Sequence, residues 1–185
     1  GALPIDLLSF DARKLSSSSA QLTWTVSDNS TPQKFVVLSS QDGSRFSEIG
    51  TVTAVGGQTR YNFTDNHLGA GTTYYRLRLV DIDGSYKLSR IVAVVNRSTA
   101  GALITAMSPT VVHTTAQLSV SSNKTGAMLV AVTDGYGRVV KQMQIAVANG
   151  SQQVQLNFTG LPAGVYQLTG YLDGERAGTV RFIKQ

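Results

Sequence analysis

Residues 74–87 read Tyr-Tyr-Arg-Leu-Arg-Leu-Val-Asp-Ile-Asp-Gly-Ser-Tyr-Lys, and this stretch decides the fold. Its first half alternates, with Tyr75, Leu77 and Leu79 on one side and Tyr74, Arg76 and Arg78 on the other. A period of two belongs to a strand with one face on a core and one in water, because successive side chains leave the pleated backbone on opposite sides. The alternation stops at Asp83-Gly84. That pair suits a tight hairpin turn, since Gly takes the positive φ the turn needs and Asp tolerates it. Strand, turn and return strand imply an antiparallel pair.

The same pattern runs outward from there. Leu22, Trp24 and Val26 alternate with Thr23 and Thr25, and Val154, Leu156 and Phe158 alternate with polar neighbours. Further Asp-Gly pairs stand at Asp42-Gly43, Asp134-Gly135 and Asp173-Gly174. Turn signals spaced about 8–12 residues apart predict an all-β sandwich. No stretch shows the three-to-four spacing of an amphipathic helix. Between Val95 and about Gln117 the alternation weakens into small and polar residues, which places a boundary near Ser98 to Gly101. The expected units are 1–97 and 98–185, each near the size of a seven-stranded sandwich. A faint internal echo links them: Leu68 to Gly84 and Leu161 to Gly174 each carry a Leu, an Ala-Gly turn, a Tyr, a strand and an Asp-Gly turn. Such a tyrosine suits a corner where its hydroxyl bonds backbone upstream.

Composition narrows function by exclusion. The chain of 185 residues is 42% hydrophobic and has no cysteine, so disulfides, thiolate metal sites and cysteine nucleophiles are out. No apolar run is long enough for a membrane span and no signal peptide is visible. The opening Gly-Ala-Leu-Pro-Ile-Asp starts almost directly in strand pattern and is expected to belong to a piece of a longer protein. Net charge is +5, with ten Lys/Arg against eight Asp/Glu in 1–97 and six against three in 98–185. These charges are scattered, which reads as a solvated surface rather than a nucleic-acid footprint.

Little chemistry emerges. His67 and His113 lie in turn-like contexts in different units, with no second His at ligand spacing. Asp81 to Gly84 suggests a calcium loop, but the twelfth position, where such a loop has Glu, is Val92; a hairpin is the better reading. No pair of carboxylates stands out for acid–base work. Neither catalysis nor a cofactor or metal is expected. Trp24 could stack on a sugar, but its alternation with Leu22 and Val26 places it in the core. Tyr61, Tyr74, Tyr86, Tyr136 and Tyr171 keep open a glycan-binding or adhesive module of a secreted enzyme.

Two longer patterns carry a family resemblance. Phe35–Val52 followed by Tyr61–Val94, with the Gln41-Asp42-Gly43 turn, Phe46, Ile49-Gly50, Tyr74-Tyr75 and Val80–Ser89, resembles the fibronectin-type-III-like domain that precedes the sorting domain of type IX secretion system cargo. The second half resembles the type A C-terminal sorting domain itself, through Val132–Val140, the Leu161-Pro162-Ala163-Gly164-Val165-Tyr166 segment and the basic-ended Thr179–Gln185. It departs where the family usually opens on an aromatic-Pro-Asn-Pro stretch, for here Met107-Ser108-Pro109-Thr110 stands.

The resemblance implies two consecutive antiparallel immunoglobulin-like or fibronectin-III-like sandwiches, a spacer and then a non-catalytic export signal. Such a signal takes a larger, covalently linked cargo from the periplasm of a Gram-negative bacterium to its surface or the medium. The implied partners are the type IX machinery and a surface sorting peptidase. The residues expected to be read are Gly160, Leu161, Pro162, Ala163, Gly164 and Tyr166, with Arg181, Phe182, Ile183, Lys184 and Gln185. The last strand is expected on a sheet edge, with Arg181 and Lys184 outward. The competing reading has Tyr166, Leu168, Phe182 and Ile183 simply as core.

Overall fold

The computed structural model describes residues 6–27, 32–97, 99 and 101–185. Ser98 and Ala100, at the expected join, and residues 1–5 of the opening segment lie outside the described residues. The chain divides into two compact units, Gly1–Asn96 and Arg97–Gln185. Each is a β-sandwich, and the described residues contain no helix.

The first unit contains β1 (Leu7–Ser16), β2 (Ser19–Val26), β3 (Pro32–Ser40), β4 (Ser47–Thr53), β5 (Arg60–Asp65), β6 (Gly71–Asp81), β7 (Tyr86–Leu88) and β8 (Val92–Asn96). One sheet runs β1-β2-β5 and the other β4-β3-β6, with β7 and β8 pairing successive stretches of β6. All pairs are antiparallel. The β6–β7 connection closes as a tight hairpin, with Gly84 N donating to Asp81 O at 3.0 Å and Asp81 N to Ser85 O at 2.8 Å. The Asp83 carboxylate accepts from the Ser85 N–H and hydroxyl, so the candidate calcium loop spends its acid on its own turn.

The alternation drives the packing. Tyr75, Leu77 and Leu79 of β6 and Leu22, Trp24 and Val26 of β2 all point into one core with Phe10 and Phe35. Trp24 meets Phe35 edge-on at 5.3 Å and stacks on Tyr61 at 6.0 Å, the offsets that aromatic quadrupoles favour. Its indole N–H is buried without a partner, so Trp24 stabilises through packed area and not through polarity. The Tyr75 hydroxyl donates to Asp65 Oδ2 at 2.6 Å, a side-chain bond where the sequence suggested a backbone one. Burial, then that bond and the nearby Asp65 charge, push the Tyr75 phenol well above its usual range.

The second unit contains β9 (Ala102–Ser108), β10 (Val111–Val112), β11 (Thr115–Ser122), β12 (Gly126–Thr133), β13 (Val139–Val147), β14 (Gly150–Asn157), β15 (Gly164–Leu172) and β16 (Glu175–Lys184). A three-stranded sheet, β14-β11-β9, faces a five-stranded one, β10-β16-β15-β12-β13. The pairings are antiparallel except β10 with β16, a two-residue parallel contact. The core gathers Leu118, Met128, Val130, Phe158, Leu168 and Phe182.

Two measurements follow. Residues 1–97 and 98–185, produced separately, are each expected to melt cooperatively, because each has its own aromatic and aliphatic core; calorimetry that finds either half unfolded alone contradicts this. Trp24→Ala is expected to cost about 3–5 kcal/mol in denaturant titration of the intact chain, and a loss under about 1 kcal/mol would be incompatible with the packing described.

Candidate recognition surface around the last strand

The β15–β16 hairpin is built from its turn inward. Asp173 and Gly174 have φ of 51° and 78°. Positive φ at both central residues is what a two-residue type I′ turn requires, and its twist matches that of the strands it joins. The turn sets a register in which Gly164 faces Lys184, Val165 faces Ile183, Tyr166 faces Phe182 and Gln167 faces Arg181. The two segments expected to be read, nearly twenty residues apart in sequence, therefore lie side by side.

Aromatic contacts hold that register. Phe182 packs against Phe158 at 4.8 Å and stacks with Tyr166 at 5.6 Å. The Tyr166 hydroxyl donates to Pro162 O at 2.8 Å, the tyrosine corner expected here. Leu161 N bonds Phe158 O at 3.1 Å, and Gly160, with φ of 83°, turns the chain between them. Gly170 and Gly178 face each other across the hairpin, where β9 passes close: a Cβ on Gly170 would stand 2.8 Å from Ile104 Cδ1.

Exposure sorts the expected residues. Leu161, Tyr166, Leu168 and Phe182 are buried, whereas Gly160, Pro162, Ala163, Arg181 and Gln185 are exposed. Two expectations are corrected. Ile183, at 42% exposure, points outward, while Lys184 is half-buried on the same side as Phe182. Strict alternation from Phe182 puts 181, 183 and 185 outside, whatever their polarity. Nor is the end of β16 an open edge: Ile183 N donates to Thr110 O at 2.8 Å and Gln185 N to Val112 O at 2.9 Å. The backbone groups a partner was expected to extend are thus engaged by β10.

Val111 went unnoticed in the sequence. It pairs with Ile183 from the far side of β16 and is 41% exposed, while Val112 is fully buried. Beside this area lies a groove of about 290 Å³ lined by Thr133, Asp134, Gly137, Val165, Gln167 and Arg181. Arg138, at 2.7 Å, and the nearby N–H groups hold the Asp134 carboxyl below the usual carboxylate range.

The rival sites do not assemble. His67 and His113 are exposed in separate units, and among the described residues no three His, Cys, Asp or Glu cluster as metal ligands. Tyr61 is buried and Tyr74 and Tyr171 partly so, while Tyr86 and Tyr136, both well exposed, belong to different units. Among the described residues no helix is long and apolar enough to cross a membrane.

Tyr166→Phe keeps the ring stack and removes only the bond to Pro162. It is expected to cost about 0.5–1.5 kcal/mol by chemical denaturation, the usual worth of one such bond. No change would mean that the corner bond contributes nothing to stability.

Residues 98–185 match the family described as the secretion system C-terminal sorting domain. This part of the chain is a type IX C-terminal sorting domain, a signal that marks proteins for the cell surface or secretion in Gram-negative Bacteroidetes, and its family is one of sorting rather than catalytic domains. Among solved structures, dimeric latent PorU from Porphyromonas gingivalis is 12% identical, with a TM-score of 0.43, over 98% of this chain and 20% of that one. The FN1–FN3 domains of chicken CNTN1 are 15% identical, with a TM-score of 0.41, over 100% of this chain and 68% of theirs. The fibronectin(III)-like modules of Clostridium thermocellum CbhA are 12% identical, with a TM-score of 0.36, over 91% of this chain and 85% of theirs. Likenesses this distant carry no functional information. The chain spans only a fifth of the PorU chain it resembles. No curated protein matches it.

Proposed function

We propose that this chain is the non-catalytic export end of a larger cargo: residues 1–97 form a fibronectin-III-like spacer, and residues 98–185 form the signal by which the type IX machinery takes the cargo across the outer membrane. The observation that carries this reading is the match of residues 98–185 to the sorting-domain family. The tight, self-bonded turn at Asp83-Gly84 argues against the calcium reading, and neither unit by itself groups the exposed tyrosines Tyr86 and Tyr136.

Within the signal, the turn Gly160–Tyr166 and the strand end Arg181–Gln185 are the segments read by the machinery. Their adjacency in the β15–β16 register lets one partner touch both. Leu161, Tyr166 and Phe182 act from beneath, as the anchors that hold Pro162, Ala163, Arg181 and Ile183 in place. A surface peptidase then separates signal from cargo.

The test is a periplasm-directed reporter fused ahead of residues 1–185, in a host with a working type IX system. The reporter is expected at the surface or in the medium. Arg181→Ala, and separately Ala163→Glu, are expected to leave the reporter in the periplasm while the purified variants melt as the parent does; isolated surface changes rarely move stability by more than about 0.5 kcal/mol. A parent fusion that stays in the periplasm of a host exporting its own cargo would refute the sorting reading.

A further inference from the structure

The outer face of the five-stranded sheet mixes polar side chains with single exposed aliphatics such as Leu129. Gln142, Gln144, Gln167, Thr169 and Thr179 occupy its strands. Against that background three branched aliphatic side chains stand in one row across neighbouring strands. Val111 on β10 pairs with Ile183 on β16, and Ile183 pairs with Val165 on β15. Their exposures are 41%, 42% and 44%. Single exposed aliphatics need no explanation, but three in register form a contiguous apolar strip of the kind that marks an interaction site.

The groove lined by Val165, Gln167 and Arg181 opens beside the row. Asp134 lines the same groove, but its carboxylate is paired with Arg138, and among the described residues no ion pair joins an acid to Arg181. Residues 98–185 contain only three acidic side chains, Asp134, Asp173 and Glu175. Asp134 is held by Arg138, Asp173 by Lys124 and Glu175 by Arg97. Each acidic side chain of the unit is thus engaged by a cation other than Arg181. A guanidinium presents a planar fork of donors matched to a carboxylate, which suits exposed Arg181 to an acid on another molecule.

We propose that Val111, Val165 and Ile183, with Arg181 at their side, form one discontinuous docking surface for the export machinery, which meets it with an apolar segment bearing an Asp or Glu opposite Arg181. This rests on the sorting reading above and specifies its partner. The surface is assembled from three strands, and Val111 lies more than fifty residues before Val165 and some seventy before Arg181 and Ile183. The apolar row supplies the desolvated centre of the contact, and the Arg181 pair supplies orientation.

The experiment uses the full chain behind the same periplasmic reporter, with single variants Val111→Lys, Val165→Lys and Ile183→Lys, the charge variant Arg181→Glu, and Leu129→Lys as a control at an apolar position of comparable exposure outside the row. Each of the first four is expected to lower surface delivery by at least about fivefold, the loss typical of a central interface side chain. Leu129→Lys is expected to deliver normally. Purified variants are expected to melt within about 3 °C of the parent. Should Val111→Lys unfold the domain, Val111→Thr keeps the branched shape and replaces it.

Loss at Ile183 but not at Val111 or Val165 means that a linear terminal segment is read, and it overturns the proposal. Normal delivery by all the variants also overturns it. A dimer of the purified parent that the row variants dissociate would assign the row to a second copy of this chain, again against the proposal. Failure of the unmodified fusion strikes the sorting reading itself, which the variants leave untouched.

Discussion

The second unit depends on the register of β16 against β15. Every statement about what the last strand buries or presents follows from Phe182 lying opposite Tyr166. A slip of one residue would turn Phe182 to water and Ile183 to the core, because side chains alternate with a period of two. Three independent features oppose that slip. The Asp173-Gly174 turn has the dihedrals of a two-residue hairpin, the Gly170–Gly178 pair leaves room for Ile104 at one place only, and the rings of Phe158, Phe182 and Tyr166 interlock beneath. Local turn chemistry, close backbone approach and core packing thus agree on a single pairing, the consistency that distinguishes a unique fold from an ensemble.

Much of the architecture was legible in the sequence because half-buried antiparallel strands write their burial into alternating residue types. Tyr75, Leu77 and Leu79 are inward, as read, and Trp24 is core. The tyrosine corner at Tyr166 could be anticipated from its position after an Ala-Gly turn, since corner chemistry is local. In the first unit the corresponding Tyr75 is buried and bonded as well, but to the Asp65 carboxylate and not to backbone.

What escaped was set by tertiary pairing. β10 has two residues, too few for any period to register, yet it occupies the outer side of the last strand. The outward face of β16 was misassigned by treating polarity as direction: Lys184 was read as outside and Ile183 as possible core, when their order from Phe182 dictates the reverse. Strand geometry outranks residue type at the end of a sheet, where neither face is fully covered. Likewise Arg181 looked like one of several scattered cations. The ion pairs of Asp134, Asp173 and Glu175 leave it without an acid, as they do Lys141, Arg176 and Lys184, and its place beside the apolar row, set by strand pairing, is what makes it distinct.

The clasp of β10 on β16 bears on completeness. Val111 and Ile183 are joined by a contact of long sequence separation, and closing so long a stretch of chain costs entropy that neighbouring structure must offset. A chain whose second sandwich is still open has the same residues but not the same surface. The bonds from Ile183 and Gln185 to Thr110 and Val112 require the segment between β9 and β11 to be in place, so the finished strand end reports on structure far from it in sequence. A reader of that surface would distinguish finished molecules from unfinished ones without inspecting the rest of the cargo.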